Sequence, residues 1–173
     1  RVENSFALIG SDPGSVGEVI IDGVGSSWIC NDLLIVAESG EGSLTLRNGG
    51  QLTVHDDLGM GIGPQGVFGG TGTVNVATLI NRGVVDAGDG IGTLSVVGDY
   101  IQGDGGSLLI DIGSASSYDR LVVSGTLSLA GGPLLIYFND EFVPAAGQSF
   151  DIMDWGSQEG AFDAVFAPPL PDT

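Results

Sequence analysis

Apolar and polar residues alternate in short bursts along the whole chain. Val19 and Ile21 open the series, followed by Leu44 and Leu46, Leu52 and Val54, Val74 and Val76, and Leu94 and Val96. It continues with Leu108, Ile110 and Ile112, Leu121 and Val123, Leu127 and Leu129, Leu134, Ile136 and Phe138, and Phe150 and Ile152. A period of two puts these side chains on one side of a strand and the intervening Glu, Thr, Ser, Asn and Asp on the other. No stretch spaces apolar residues at i, i+3, i+4 and i+7 with good helix formers between them. The pattern predicts an all-β chain of short strands, with no helix beyond a stray turn.

Glycine-rich corners separate the bursts: NGG at 48–50, GG at 69–70, NRG at 81–83, GDG at 88–90, GDGG at 103–106 and GG at 131–132. These residues tolerate the left-handed backbone of tight turns. Corners this frequent are too many for a protein of long hairpins. They fit a chain that coils around one core, a right-handed parallel β-solenoid. Gly25, Gly42, Gly49, Gly50, Gly70, Gly106 and Gly132 are assigned to the corners, where a side chain would collide with the rung above or below. GTVNV (72–76) and GTLSV (92–96) lie 20 positions apart, which predicts one rung of a three-sided coil. SLTLRNGGQLTV (43–54) and TLSLAGGPLLIYF (126–138) share a strand, a Gly-Gly corner and a second strand. Seven or eight such rungs, stacked about 4.8 Å apart, make a rod of roughly 35 Å.

The segment GEVIIDGVGSSWICNDLLIVAESGEGSLTLRNGGQLTV (17–54) resembles the β-strand repeats of bacterial autotransporter passengers and PEP-CTERM-type surface proteins. The likeness is carried by Gly17, Val19, Ile21, Gly23, Gly25, Ser26 and Trp28. It runs on through Leu34, Val36, Gly40, Gly42, Leu44, Leu46, Gly49, Gly50, Leu52 and Val54. The opening FALIGSDPGSVGEV is similar to the end of a preceding repeat, so the chain is expected to be a piece of a longer precursor. GTLSVVGDYIQGDGGSLLIDI, YDRLVVSGTLSLAGGPLLIYF and FVPAAGQSFDIMDWGSQEGAFDAV resemble the last coils of such passengers. The resemblance implies a scaffold displayed outside a bacterial cell or on its surface. It implies no site, because a scaffold of this kind does not carry one function.

Two regions are expected: a solenoid body over 1–138 and a capping or joining segment over 139–173 of the same domain. Phe138, at the end of the first region, and Phe142, Phe150, Trp155, Phe162 and Phe166 in the second crowd into about 30 residues, followed by APPLPDT. A solenoid end exposes strand edges that pair with other chains unless covered. The aromatics predict a C-terminal cap. Phe142, Phe150, Trp155, Phe162 and Phe166 are also the residues expected at a head-to-tail contact between copies, while the N-terminal end shows no comparable cover. The competing expectation is that residues of a longer passenger cap both ends.

Composition narrows the partners. Gly is 31 of 173 residues, hydrophobic residues are 42% and charged ones only 15%, which describes a chain with a core rather than a disordered one. There are 22 acidic residues against four Arg (Arg1, Arg47, Arg82 and Arg120) and no Lys, for a net charge of -18. Such a surface repels nucleic acid, anionic lipid and anionic polysaccharide. It also keeps a β-rich protein soluble and its rods apart. No apolar run of about 18 residues predicts insertion into a membrane.

Reactive chemistry is sparse. His55 is the single His, in HDD at 55–57 directly after a strand, and reads as a solvated turn. Cys30 is the single Cys and reads as a buried thiol. Trp28 reads as part of the inner stack or its rim. No phosphate loop and no nucleophile elbow is present, so no enzyme is expected. Calcium is the one cofactor left open: Asp86, Asp89 and Asp104 lie in Gly-rich corners that stacking could bring together, although no D-x-D-x-D-G loop is present. The expected function is structural, that of a β-solenoid subunit in an extracellular filament or adhesin stalk that associates end to end. The rival is a carbohydrate-binding or calcium-dependent adhesive module cut from a longer passenger. It requires Asp86, Asp89, Asp104, Asp111 and Trp28 to gather on one exposed face.

Overall fold

The computed structural model describes residues 1–139 and 142–169. Among them are eighteen strands and no helix, numbered here in chain order. The first sheet holds β1 (Val2–Asn4), β2 (Ala7–Ile9), β4 (Ser27–Cys30), β5 (Leu34–Val36), β7 (Gln51–Val54), β8 (Met60–Ile62), β10 (Thr73–Asn81), β12 (Thr93–Gln102), β15 (Arg120–Leu129) and β17 (Met153–Gly160). The second holds β3 (Val16–Asp22), β6 (Glu41–Arg47), β9 (Gly66–Gly70), β11 (Val84–Asp86), β13 (Ser107–Ser114), β14 (Ser117–Tyr118), β16 (Pro133–Phe138) and β18 (Ala164–Phe166). Every pairing is parallel except the small β13–β14 hairpin. The chain alternates between the sheets level by level, as a parallel β-solenoid does. The longest path through each sheet crosses seven strands.

The first sheet is bent into two faces. β10 pairs with β7 through Thr73–Asn75 and with β8 through Leu79–Asn81, and its register with β12 shifts between Asn75 and Thr78. The second sheet supplies the third side.

Register is looser than the sequence spacing suggests. Val74 pairs with Val96, 22 positions on, whereas Val123 pairs with Trp155, 32 positions on. Thr73 faces Ser95 rather than Thr93, so GTVNV and GTLSV sit two residues out of step. An even offset leaves inward residues pointing inward, so the pattern survives while the spacing does not. The two Gly-Gly look-alikes turn opposite corners. NGG leads from the second sheet to the first (β6 to β7), and AGG from the first to the second (β15 to β16).

The core consists of inward columns. One runs Val2, Trp28, Leu52, Val74, Val96, Val123, Trp155, each residue register-paired with the next. A second runs Val19, Leu44, Phe68, Val85, Leu108, Leu134, Val165. A third runs Ala7, Leu34, Met60, Leu79, Tyr100, Leu127, Gln158. The middle levels are fully buried, for example Leu52, Phe68, Leu79 and Leu108 at 0% exposure. Burying side chains of this size contributes about 1.5–3 kcal/mol each.

Most corner glycines are explained by close approach. A Cβ on Gly50 would strike the Ile21 carbonyl one level away, and one on Gly132 would strike that of Gly106. Gly25, Gly49 and Gly70 take left-handed φ values of 84°, 83° and 111°, and Gly106 sits tight against Asn81. Gly42 is not a corner. It is the second residue of β6, paired with Gly17 and Gly66 in an inward glycine column. A Cβ there would lie 2.7 Å from the Ala37 nitrogen, so its smallness serves packing inside a rung.

The coil does not stop at 138. β17 continues the first sheet and β18 the second, so the region from 139 onward adds another level rather than only a cap. Residues 140, 141 and 170–173 of that region lie outside the described residues. The strand expected at Phe150 and Ile152 is irregular chain, and β17 begins one residue later at Met153.

Candidate functional site

The two ends of the described coil are its least satisfied parts. At the last level, Trp155, Val165 and Phe166 are 42%, 60% and 60% exposed although Trp155 and Val165 occupy inward positions. At the first level, Val2 and Phe6 are 62% and 51% exposed. A recess of about 500 Å³ opens there between β1, β3 and β4, lined by Arg1, Val2, Val19, Ile21 and Trp28. Trp28 stands in the inner column and its indole N–H donates to Asn4 Oδ1 at 2.6 Å. It is a wall of the recess and not an exposed stacking platform.

The C-terminal aromatics divide into two groups. Phe138, Phe142, Phe150 and Tyr118 form an edge-to-face chain, with ring centroids 5.5 to 6.3 Å apart. Phe142 and Phe150 are therefore engaged with their own rod, each half-buried. Phe162 is half-buried against the core. Of the expected end residues, Trp155 and Phe166 remain exposed.

The acidic corners are partly brought together. Asp86 and Asp111 face outward on neighbouring strands of the second sheet, and Asp119 approaches them from the β14–β15 corner. Asp119 is fully buried, and its two oxygens accept the N–H groups of Gly92 and Asp111, both at 2.9 Å. Burial is the main force raising the Asp86 and Asp119 carboxyls to about 6. Repulsion from Asp111 and other nearby carboxylates adds to it, while backbone N–H donors act against it. Asp89 is instead paired with Arg47, whose Nη2 donates to Asp89 Oδ1 at 3.0 Å. Asp104 sits exposed in the β12–β13 turn. No group of three or more His, Cys, Asp or Glu among the described residues is arranged to hold a metal ion. Asp119 works as a brace between rungs, and so do Asp99, which accepts the Thr126 N–H at 2.7 Å, and Asp163, which accepts that of Gly132 at 2.9 Å.

His55 is exposed just after β7, where its backbone N–H donates to the Cys30 carbonyl at 2.9 Å. Cys30 is a free, buried thiol, and burial raises its pKa.

Sequence reasoning missed a buried polar step. Asn81, Tyr100 and Gln102 are all 0% exposed and face inward at one corner. The Tyr100 hydroxyl donates to Gln102 Oε1 at 2.5 Å, and Asn81 Nδ2 donates to the Ser107 carbonyl at 2.9 Å. Gln102 Nε2 has no partner. The signal was available: Asn81 and Gln102 continue the inward phase of Leu79 and Tyr100. No helix among the described residues is long and apolar enough to cross a membrane.

No family model matches the chain, and neither a curated protein nor a solved structure matches it.

Proposed function

We propose that the protein is a structural subunit of an extracellular bacterial filament or adhesin stalk, whose rods join end to end. The observation that carries this reading is the continuity of the three inward columns. They begin at Val2, Val19 and Ala7 and finish at Trp155, Val165 and Gln158, with strand edges beyond them that no described strand pairs. An end of this form is completed by another rung of the same kind. Parallel edges β17 and β18 of one copy would lie against β1, β2 and β3 of the next. Trp155 would enter the recess beside Val2 and Trp28. Such a head-to-tail contact repeats without closing, which makes a filament. The role is mechanical, and no bond of a substrate is made or broken.

Electron microscopy of the purified protein over a concentration series, with and without calcium, tests the proposal. The expected result is rods many times the length of one subunit, shortened by Trp155→Glu. Short isolated rods at every concentration overturn it. Filaments that need calcium would move the contact to the acidic corners and overturn the apolar joint.

A further inference from the structure

The outer faces of the first sheet differ sharply from each other. On one, the outward row is Ser27, Gln51, Thr73, Ser95, Val122, Asp154, largely polar as solvent requires. On the other, the row is Leu8, Ile35, Gly61, Ile80, Ile101, Ser128, Glu159. Its first five levels carry neither a charge nor a hydroxyl, on a chain of net charge -18. The gap at Gly61 is not imposed by the fold. A Cβ there would meet nothing within 4 Å, and its φ is not in the left-handed region. The missing side chain leaves a groove of about 430 Å³ lined by Leu33, Ile35, Leu58 and Ile80. Leu58 stands 73% exposed at its rim.

Two opposite charges border the groove. Glu38 follows β5 and Arg82 follows β10, so they lie one level to either side of Gly61 at the same corner. Arg1, Arg47 and Arg120 are each ion-paired, with Glu3, Asp89 and Asp151. Arg82 is exposed and has no ion-pair partner among the described residues.

We infer that this strip is a lateral pairing surface for a second copy of the same chain, packed face to face with its rod running the opposite way. A two-fold axis crossing the rod at the Gly61 level turns each row onto itself. Ile35 then packs on Ile80 of the other copy, Leu58 on Leu58, and the two bare Gly61 positions let the faces close. Arg82 meets Glu38 of the other copy, and Glu38 meets its Arg82. A surface with a cation one level below its centre and an anion one level above is self-complementary under that operation and under no parallel stacking. The strip is small: five levels at about 4.8 Å, against the roughly 800 Å² per partner of a standard interface. Pairing of single rods is accordingly weak, and it grows as rods lengthen because successive contacts act together. It stands apart from the end-to-end reading, since its centre at Ile35, Leu58, Gly61 and Ile80 lies inside the rod and only Leu8 belongs to the terminal rung.

Sedimentation equilibrium of a Trp155→Glu variant separates the two, because end contacts are then suppressed. At about 0.15 M salt, where charges are screened beyond about 8 Å, the expected species is a concentration-dependent dimer. Gly61→Glu places like charges face to face on the two-fold axis, and Arg82→Glu does the same at the rim. Each should weaken the dimer by roughly tenfold or more. Arg82→Glu combined with Glu38→Arg should restore it. A monomer at every concentration overturns the inference, as does a dimer unchanged by both single variants or a charge swap that restores nothing. The melting temperature of each variant shows that it is folded, and Arg82, being exposed, keeps the test sound if Gly61→Glu is not.

Discussion

Mild acid should make this protein more stable, and the buried corner carboxylates set the size of the effect. Asp86 and Asp119 are raised from the ordinary 3.8 to about 6 in the folded chain. Between those values the folded protein holds protons that the unfolded chain has released. Stability is therefore fully present below about pH 4 and is lost as the pH rises through about 6. Going from pH 7 to pH 5 gains about 1.3 kcal/mol for each such group taken alone. Asp86 is only half-buried and the two groups repel each other, so the pair together contributes about 2 kcal/mol at most. For a chain of this size that is a rise of about 4–8 °C in melting temperature. Melting followed by far-UV circular dichroism at pH 5, 6 and 7 measures it. Relief of the net charge acts in the same direction, so Asp86→Asn serves as the control. It keeps an oxygen for the Gly88 N–H, which the Asp86 carboxylate accepts at 3.2 Å, and it cannot titrate. The variant should melt higher than the parent at pH 7 and show a rise smaller by about 2–4 °C. A melting temperature that is flat or falls from pH 7 to 5 refutes the reasoning. So does an Asp86→Asn variant that keeps the full rise.

Two further outcomes test the core. Gly50→Ala drives a methyl into the Ile21 carbonyl and should cost about 3 kcal/mol or more. Gly25→Ala, whose Cβ would meet nothing within 4 Å, should cost only the roughly 1–2 kcal/mol of its left-handed backbone, and paired urea titrations compare them. Tyr100→Phe removes the hydroxyl that joins Asn81 and Gln102. It should lower stability by about 1–3 kcal/mol despite the near-identical shape, a loss visible in the urea midpoint with unchanged slope.

Much of the fold was legible because strand alternation has one period and tolerates even errors. Leu44, Leu52, Val74, Leu94, Leu108 and Leu121 all point inward as their alternation predicts. The distance from Gly72 to Gly92 misjudged the rung because only height is fixed between levels, and corners absorb extra residues at little cost. Gly42 misled because glycine answers two demands, a turn and a tight inward column, that look alike in sequence. Phe142 and Phe150 were legible as part of an aromatic cap but not as partners of Phe138 and Tyr118, since that depends on where the irregular chain over 142–152 packs. The strip of Leu8, Ile35, Ile80 and Ile101 could not be read at all. Each is a single outward aliphatic residue, unremarkable alone, and only register gathers them into one row. Alternation says nothing of Asp99, Asp119 and Asp163, which bind backbone N–H groups of the neighbouring rung, because that role depends on which rung stacks on which.

A chain of similar rungs faces a hazard while it folds, since each rung resembles its neighbours enough to be stacked one place too early or too late. Leucine on valine costs little in the wrong pairing, so aliphatic columns barely discriminate. The Asn81–Tyr100–Gln102 step does discriminate. Displaced by one level, these amides and this hydroxyl would be buried against Leu, Met or Val with nothing to receive their hydrogen bonds, at about 1–3 kcal/mol for each orphaned group. The polar step thus acts as an index mark on an otherwise uniform scale, tolerable only in the one alignment where its members find each other.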